Sequence, residues 1–358
     1  MIKRVIVVLM LIVLSAGCGD SSAARGQLDS PLARIAQRHG VPAAAAWVWD
    51  GDTVRRGNYG GNIYDGSLFC IGSVSKSFVA ALALKLQEEG VLSLGDTVGQ
   101  YLPDFPHWNK DSITLRDLLS MRSGIGDYTA DFEREDYFRE YERHELIQMG
   151  LDRSALLSRG SYSYSNTNIL IARRMIEKAT GRDCETLIRE KILKPLKLED
   201  TYFSGEKQDI QDRLIPGYSN TKTEKRIDFT DASGSWADLA CGMYSTAADM
   251  AGWVTALICG DFLNDASKKE LLDFMPATES MDYGLCVARK TLRGEQVILL
   301  QGNVPGYSST ILIQGDTVCA VLCNLSDYSG GGISYAELIA EELMFPAAIK
   351  SPAYPSAA

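Results

Sequence analysis

Ser73 and Lys76 stand three residues apart, just before a run from Val79 to Leu86 that is apolar almost all round (Val79, Ala80, Ala81, Leu82, Ala83, Leu84, Leu86). No other stretch constrains the fold as strongly, because a helix that is apolar on every side has to be enclosed by a core. Gln87, Glu88 and Glu89 return it to water and Gly90 supplies the stop. Residues three apart share a helix face, so the Ser73 hydroxyl and the Lys76 amine are expected to meet at the opening turn. There the unpaired first-turn N–H groups and the positive end of the helix dipole favour a developing negative charge. A partly desolvated lysine has a lowered pKa and takes a proton from a neighbouring hydroxyl, which activates a serine without histidine. The same spacing recurs at Ser204 to Lys207 and Ser219 to Lys222, but in polar, turn-like sequence with no buried helix behind it.

A serine site needs further groups, and the histidines do not supply them. His39 precedes a helix-ending glycine, His107 lies in a loop with prolines, and His144 sits in a charged segment. No serine is flanked as G-x-S-x-G, so a strand-turn-helix nucleophile elbow is absent. Tyr-Ser-Asn occurs twice. Tyr164-Ser165-Asn166 directly precedes an amphipathic helix containing Ile169, Leu170, Ile171 and Met175, whereas Tyr218-Ser219-Asn220 leads into a polar stretch that reads as an exposed turn. Tyr164 is therefore the expected proton shuttle, its phenol lowered by a nearby ammonium. Asn166 offers a donor and an acceptor to a substrate amide.

The chain of 358 residues is long enough for one elaborated domain or two lobes. A net charge of -10 excludes the basic face that a nucleic-acid partner requires. At the N-terminus Lys3 and Arg4 precede an apolar run, Val5 to Leu14, too short to span a bilayer comfortably; it reads as a signal-peptide core. Leu14-Ser15-Ala16-Gly17-Cys18 resembles a bacterial lipobox, although serine stands where leucine is usual. Residues 1–18 are thus expected to be a lipoprotein leader, with Cys18 lipidated and anchoring the exported protein to a membrane of the cell envelope; an ordinary cleaved signal peptide is the alternative. Residues 19–30 are expected to be a tether. The cysteines left after Cys18 are odd in number and scattered, and Cys319 and Cys323, on one face of a strand and ~13 Å apart, are too distant to bridge. No His/Cys cluster has zinc spacing, so neither a metal nor another cofactor is expected.

Along the mature chain, Pro31 to His39 reads as a helix, and Ala44 to Trp49 with Thr53 to Tyr59 as a hairpin joined by Asp50-Gly51-Asp52. The middle is loop and helix: Thr114 with Asp117 caps a short helix, Asp131 to Leu151 reads as a solvated helical face, Thr167 to Ala179 stops at Gly181, Cys184 to Leu193 stops before Pro195, and Thr246 with Asp249 caps a helix through Trp253 to Ile258. Strands return at Gly284 to Lys290, Gln296 to Leu300, Ser308 to Gln314 and Thr317 to Asn324, and Tyr335 to Met344 closes as an amphipathic helix. These elements predict an α+β fold in which both chain ends build one antiparallel sheet flanked by helices. The sheet lobe is expected at about 31–72 and 280–346, the helical lobe at about 73–279, and a tail at 347–358. The site is expected in the cleft between the lobes.

Taken together these motifs resemble the penicillin-recognising serine hydrolases, the group of class C β-lactamases, D-alanyl-D-alanine carboxypeptidases and related esterases. The resemblance rests on Ser73-Val74-Ser75-Lys76 and Tyr164-Ser165-Asn166, and extends through Leu94-Gly95-Asp96-Thr97-Val98, Ile113 to Leu119 with Ser123-Gly124, Lys194-Pro195-Leu196, and Tyr244-Ser245-Thr246. It implies a β-lactamase/transpeptidase-like fold and an acyl-enzyme mechanism on a small-molecule or peptide substrate. The family's third motif, usually Lys-Thr-Gly or His-x-Gly, falls on Leu300-Gln301-Gly302, where the cation is replaced by leucine. By the resemblance, Gly302 lets backbone approach the substrate, the N–H of Asn303 joins that of Ser73 in an oxyanion hole, and Gln301 can offer a neutral hydrogen bond in place of the missing charge. The implied function is hydrolysis of a D-Ala-D-Ala peptide or a β-lactam at the cell envelope, with an esterase of the same fold as one alternative. The other alternative is a non-catalytic envelope module that keeps the cleft to bind a ligand.

Overall fold

Asp50 starts the first hairpin by local chemistry: its carboxylate accepts the N–H of Thr53 at 3.0 Å, while Gly51 turns at φ +97°. The strands it joins are β1 (Ala44–Trp49) and β2 (Val54–Tyr59), in a computed structural model that describes residues 27–107, 109–154, 158–222, 224, 226–328 and 333–346. The leader with Cys18, most of the tether and the tail 347–358 lie outside the described residues. Helix α1 (Asp29–Arg38) begins two residues before the expected start, inside the predicted tether. Asp29 holds it there by accepting the N–H of Asn58 at 2.8 Å, and Leu28 is already buried.

Beyond β3 (Phe69–Cys70), the long apolar run forms α2 (Lys76–Glu88), in which every residue from Lys76 to Leu84 is buried. Each such leucine contributes about 1.5–3 kcal/mol by leaving water. Trp253 stacks on Phe78 with ring centroids 4.4 Å apart and donates its indole N–H to Ser77 Oγ at 2.8 Å. Helix α3 (Thr167–Thr180) ends, as its sequence predicts, on Gly181 in the left-handed region at φ +67°. Short strands follow: β4 (Tyr218–Thr221), β5 (Ile227–Asp228) and β6 (Tyr244–Ser245). The C-terminal part adds β7 (Met275–Thr278), β8 (Met281–Tyr283), β9 (Ala288–Leu292), β10 (Glu295–Val304), β11 (Tyr307–Gln314), β12 (Thr317–Cys323), β13 (Leu325–Tyr328) and helix α4 (Tyr335–Met344).

The main sheet has eight strands in the order β2-β1-β12-β11-β10-β9-β8-β7, all neighbours antiparallel. β1 pairs with β12, Ala44 opposite Cys323, so the two ends of the domain share one sheet. Helices α1 and α4 pack on it and on each other.

Several expectations are corrected. The C-terminal part of the sheet begins at Met275 rather than near 280, because the edge strand β7 is mostly exposed and its neighbour β8 is only three residues long, so neither carries a readable pattern. Pro195 does not end its helix: residues Arg189–Leu193 widen into a π turn and a last helical turn, Lys194–Leu196, includes the proline. Asp131 to Leu151 is less solvated than its charges suggest, since Phe132 and Tyr137 pack with Tyr128, Tyr141 and Trp236 in an aromatic cluster. Tyr218-Ser219-Asn220 lies on strand β4, which pairs in parallel with β13 and buries Ser219 against Ser326, while the polar stretch after it turns at the surface, the Thr221 N–H donating to Glu224 O at 2.8 Å. No two of the described cysteines are joined in a disulfide. No group of three or more His, Cys, Asp or Glu that could hold a metal occurs among the described residues, and none of their helices is long and apolar enough to cross a membrane.

Candidate active site

Ser73 lies on a single 3-10 turn, Gly72–Ser75, that leads directly into α2. Gly72 sits at φ +55°, a conformation that L side chains rarely adopt, and this redirects the chain from β3 into the turn. Ser75 closes it by donating to Gly72 O at 2.7 Å and accepting the Met243 N–H at 3.2 Å. The spacing argument holds at atomic level: Lys76 Nζ is 2.9 Å from Ser73 Oγ, and Tyr164 donates its hydroxyl to the same oxygen at 2.6 Å. Ser73 is half-buried, and Tyr164 is 37% exposed with its hydroxyl turned onto the serine.

Lys76 is 1% exposed and makes three contacts: Ser73 Oγ, Asn166 Oδ1 at 2.7 Å and Ala240 O at 2.6 Å. The last two oxygens can only accept, so each takes one N–H. The third position faces a hydroxyl that can also donate. A neutral amine therefore keeps both N–H groups paired and aims its lone pair at Ser73. Burial favours that form by pushing the Lys76 pKa below its ordinary value. Ala240 is placed by the turn Asp238–Cys241, where Asp238 is gripped by Arg143 and Arg173, each at 2.8 Å.

Tyr164 departs from expectation. Its phenol is not lowered; burial pushes it well above its ordinary range, against a smaller lowering by the Ser73 hydrogen bond. It is a neutral donor to Ser73 rather than a phenolate base. Asn166, expected to meet substrate, is 8% exposed and already committed. Its oxygen takes Lys76, and its Nδ2 faces Thr129 Oγ1 at 3.1 Å and Asp127 Oδ2 at 3.3 Å. Asp127 and Ala240 belong to no motif read from the sequence.

Strand β10 edges the site. Its partner β9 ends at Ala288 opposite Leu299, which leaves residues 300–303 with an open edge. The β10–β11 hairpin closes on the pair Val304–Tyr307, so the backbone groups of Asn303, opposite Ser308, point away from β11 and toward that edge. Gly302 lies against the nucleophile turn: a Cβ there would meet the backbone O of Ile71 and come within 2.8 Å of Ser73 N. Gln301 borders the cleft but donates its amide to Glu337 Oε2 on α4 at 2.6 Å, so the neutral hydrogen bond expected from it is spent inside the protein. Leu300 is buried and lines the same cleft, of about 310 Å³, with Tyr162, Tyr164, Met281, Tyr283, Leu299 and Asn303, and Ser73 opens into it.

Residues 28–343 match the family described as Beta-lactamase. Among curated proteins, the chain is 26% identical over 356 residues to the unguisins hydrolase of Aspergillus campestris, covering 86% of this chain and 64% of that protein. It is also 26% identical over 277 residues to Penicillin-binding protein 4* of Bacillus subtilis, covering 69% and 58% respectively. The chain thus spans less than two thirds of the length of these relatives. A D-stereospecific amidohydrolase from Streptomyces sp. superposes with a TM-score of 0.80 at 27% identity, over 92% of this chain and 100% of that one. By this match and this fold, the chain belongs to the Beta-lactamase family, the penicillin-recognising serine hydrolases.

Proposed function

We propose that the protein is an acyl-enzyme hydrolase of amides or esters whose group beside the scissile bond carries no free carboxylate. The lining of the cleft carries this reading: around Ser73 it combines Tyr162, Tyr164, Tyr283, Leu299 and Leu300 with the neutral Gln301 and Asn303, and no lysine or arginine lines it among the described residues. A carboxypeptidase or β-lactamase has to match a substrate carboxylate, which is costly to bury unpaired. Leu300 offers no charge, and Gln301 is occupied by Glu337. The substrate's backbone would lie along the open edge of β10.

Ser73 Oγ attacks the carbonyl while its proton passes to Lys76. The N–H groups of Ser73 and Asn303 hold the oxyanion. Collapse expels the amine or alcohol, which receives the proton by way of Lys76 and the Tyr164 hydroxyl, and leaves Ser73 acylated. Water then attacks the ester, its proton passes by way of the same pair to Ser73 Oγ as the acyl bond breaks, and the acid is released with Ser73 restored. The D-stereospecific relative makes D-aminoacyl amides and esters the first substrates to test. The basic and apolar leader ending at Cys18, with the kinship to a penicillin-binding protein, supports a lipid-anchored place at the cell envelope.

The test is intact mass and turnover with the chain from Gly19. A fluorophosphonate is expected to add to the wild type and not to Ser73→Ala, and D-phenylalanine amide or a p-nitrophenyl ester to be turned over. Faster cleavage of a D-Ala-D-Ala peptide or of benzylpenicillin would overturn the preference, and no adduct would favour a non-catalytic binding module.

A further inference from the structure

The carboxylate of Asp127 touches no part of the cleft lining, yet it is fully engaged. Its Oδ1 accepts the backbone N–H groups of Thr129 and Asn166, both at 3.2 Å. Its Oδ2 accepts the Thr129 hydroxyl at 3.0 Å and the Asn166 amide nitrogen at 3.3 Å. The two ends of an asparagine amide have nearly the same shape and opposite hydrogen-bonding character. Asn166 lies between Asp127 on one side and Lys76 on the other. Turned over, it would set its oxygen against a carboxylate and its NH2 against the lysine. Two buried donor–acceptor pairs would be lost at once.

We infer that Asp127 is a positioning residue, which locks the Asn166 oxygen onto Lys76 and so fixes the one amine position that faces Ser73. The inference rests on the acyl-enzyme reading above. Asp127 also acts on Lys76 through its charge. The titratable groups facing Lys76 are Asp127, Cys241, Cys286 and the Tyr164 phenol. Burial pushes both thiols up to about 12 and holds the phenol neutral, so Asp127 is the only carboxylate among them. Its removal takes away both the lock and a negative charge that favours the ammonium form.

The experiment follows the rate of fluorophosphonate labelling of Ser73 against pH for wild type, Asp127→Asn and Thr129→Val, with thermal melting of each. Labelling needs neutral Lys76, so the rate rises with pH through the lysine's titration. Asp127→Asn keeps an acceptor for the two backbone N–H groups. It is expected to label about ten- to a hundredfold more slowly on the plateau, with the rising limb displaced about one unit to lower pH. Thr129→Val leaves the carboxylate in place and is expected to keep the wild-type limb. Should Asp127→Asn fail to fold, Asp127→Ser, which also caps the Thr129 N–H, carries the same expectation. A slower plateau with an unmoved limb, or unchanged labelling, overturns the inference alone. A wild type that does not label overturns it together with the acyl-enzyme reading.

Discussion

Lys76 can serve as a base only because it can lose a proton, and burial makes that loss easier. Lys76→Arg sets a permanent cation beside Ser73 that cannot deprotonate, so hydrolysis is expected to fall by about two to four orders of magnitude even with the fold intact, as kcat/KM and circular dichroism together would reveal. In the wild type, kcat/KM is expected to rise with pH through a limb below the ordinary lysine value and to change little with salt, since the amine is enclosed. At this scale the meeting of Ser73 and Lys76 was legible, because a three-residue spacing ahead of an apolar helix implies contact, and Tyr164 stood out as the tyrosine held at the entrance of an amphipathic helix. The sequence could not expose Asp127, a loop carboxylate outside any periodic pattern, nor the engagement of Gln301, whose partner Glu337 lies on another element.

Strand β10 approaches the nucleophile turn as closely as backbone allows, and Gly302 makes this possible. Gly302→Ala would drive a methyl group into Ile71 O, Ser309 Oγ and Ser73 N. The expected result is about 1–3 kcal/mol of lost stability and a larger proportional loss of kcat than of binding, measurable by denaturant unfolding beside steady-state kinetics. A melting point and kcat like the wild type's would show that β10 can retreat without consequence. Elements with strong local signals were legible: the Asp-Gly hairpin, the Thr114 and Thr246 caps and the Gly181 stop all form. The π turn before Pro195 and the last two strands of the sheet, β8 and the edge strand β7, were not, because neighbouring elements rather than local preference decide them.

Pairing of β1 with β12 ties the two ends of the domain into one sheet, so a half-buried group outside the cleft can affect the stability of the whole. Asp249 is such a group. Burial pushes its carboxyl up to about 7, opposed by the Thr201 hydrogen bond. A raised folded-state pKa contributes stability that is fully present below the unfolded value of about 3.9 and is lost as pH rises through about 7. Asp249→Asn is therefore expected to melt higher than the wild type at pH 8, by about 1–3 kcal/mol for this half-buried side chain, and to lose that advantage at pH 4. Equal melting curves at pH 8 would refute the assignment. The joining of both chain ends in one sheet was legible because strand signals cluster at the two ends of the sequence, while the pairing register depends on side chains meeting across the fold. One asymmetry of the cleft remains. Its reactive atoms sit on enclosed elements, but Met281 and Tyr283 reach it from the outermost hairpin of the sheet, most of whose residues face water. Replacements on that hairpin can accumulate without disturbing the machinery behind them, so a lineage built this way can exchange one diet for another by rewriting its rim.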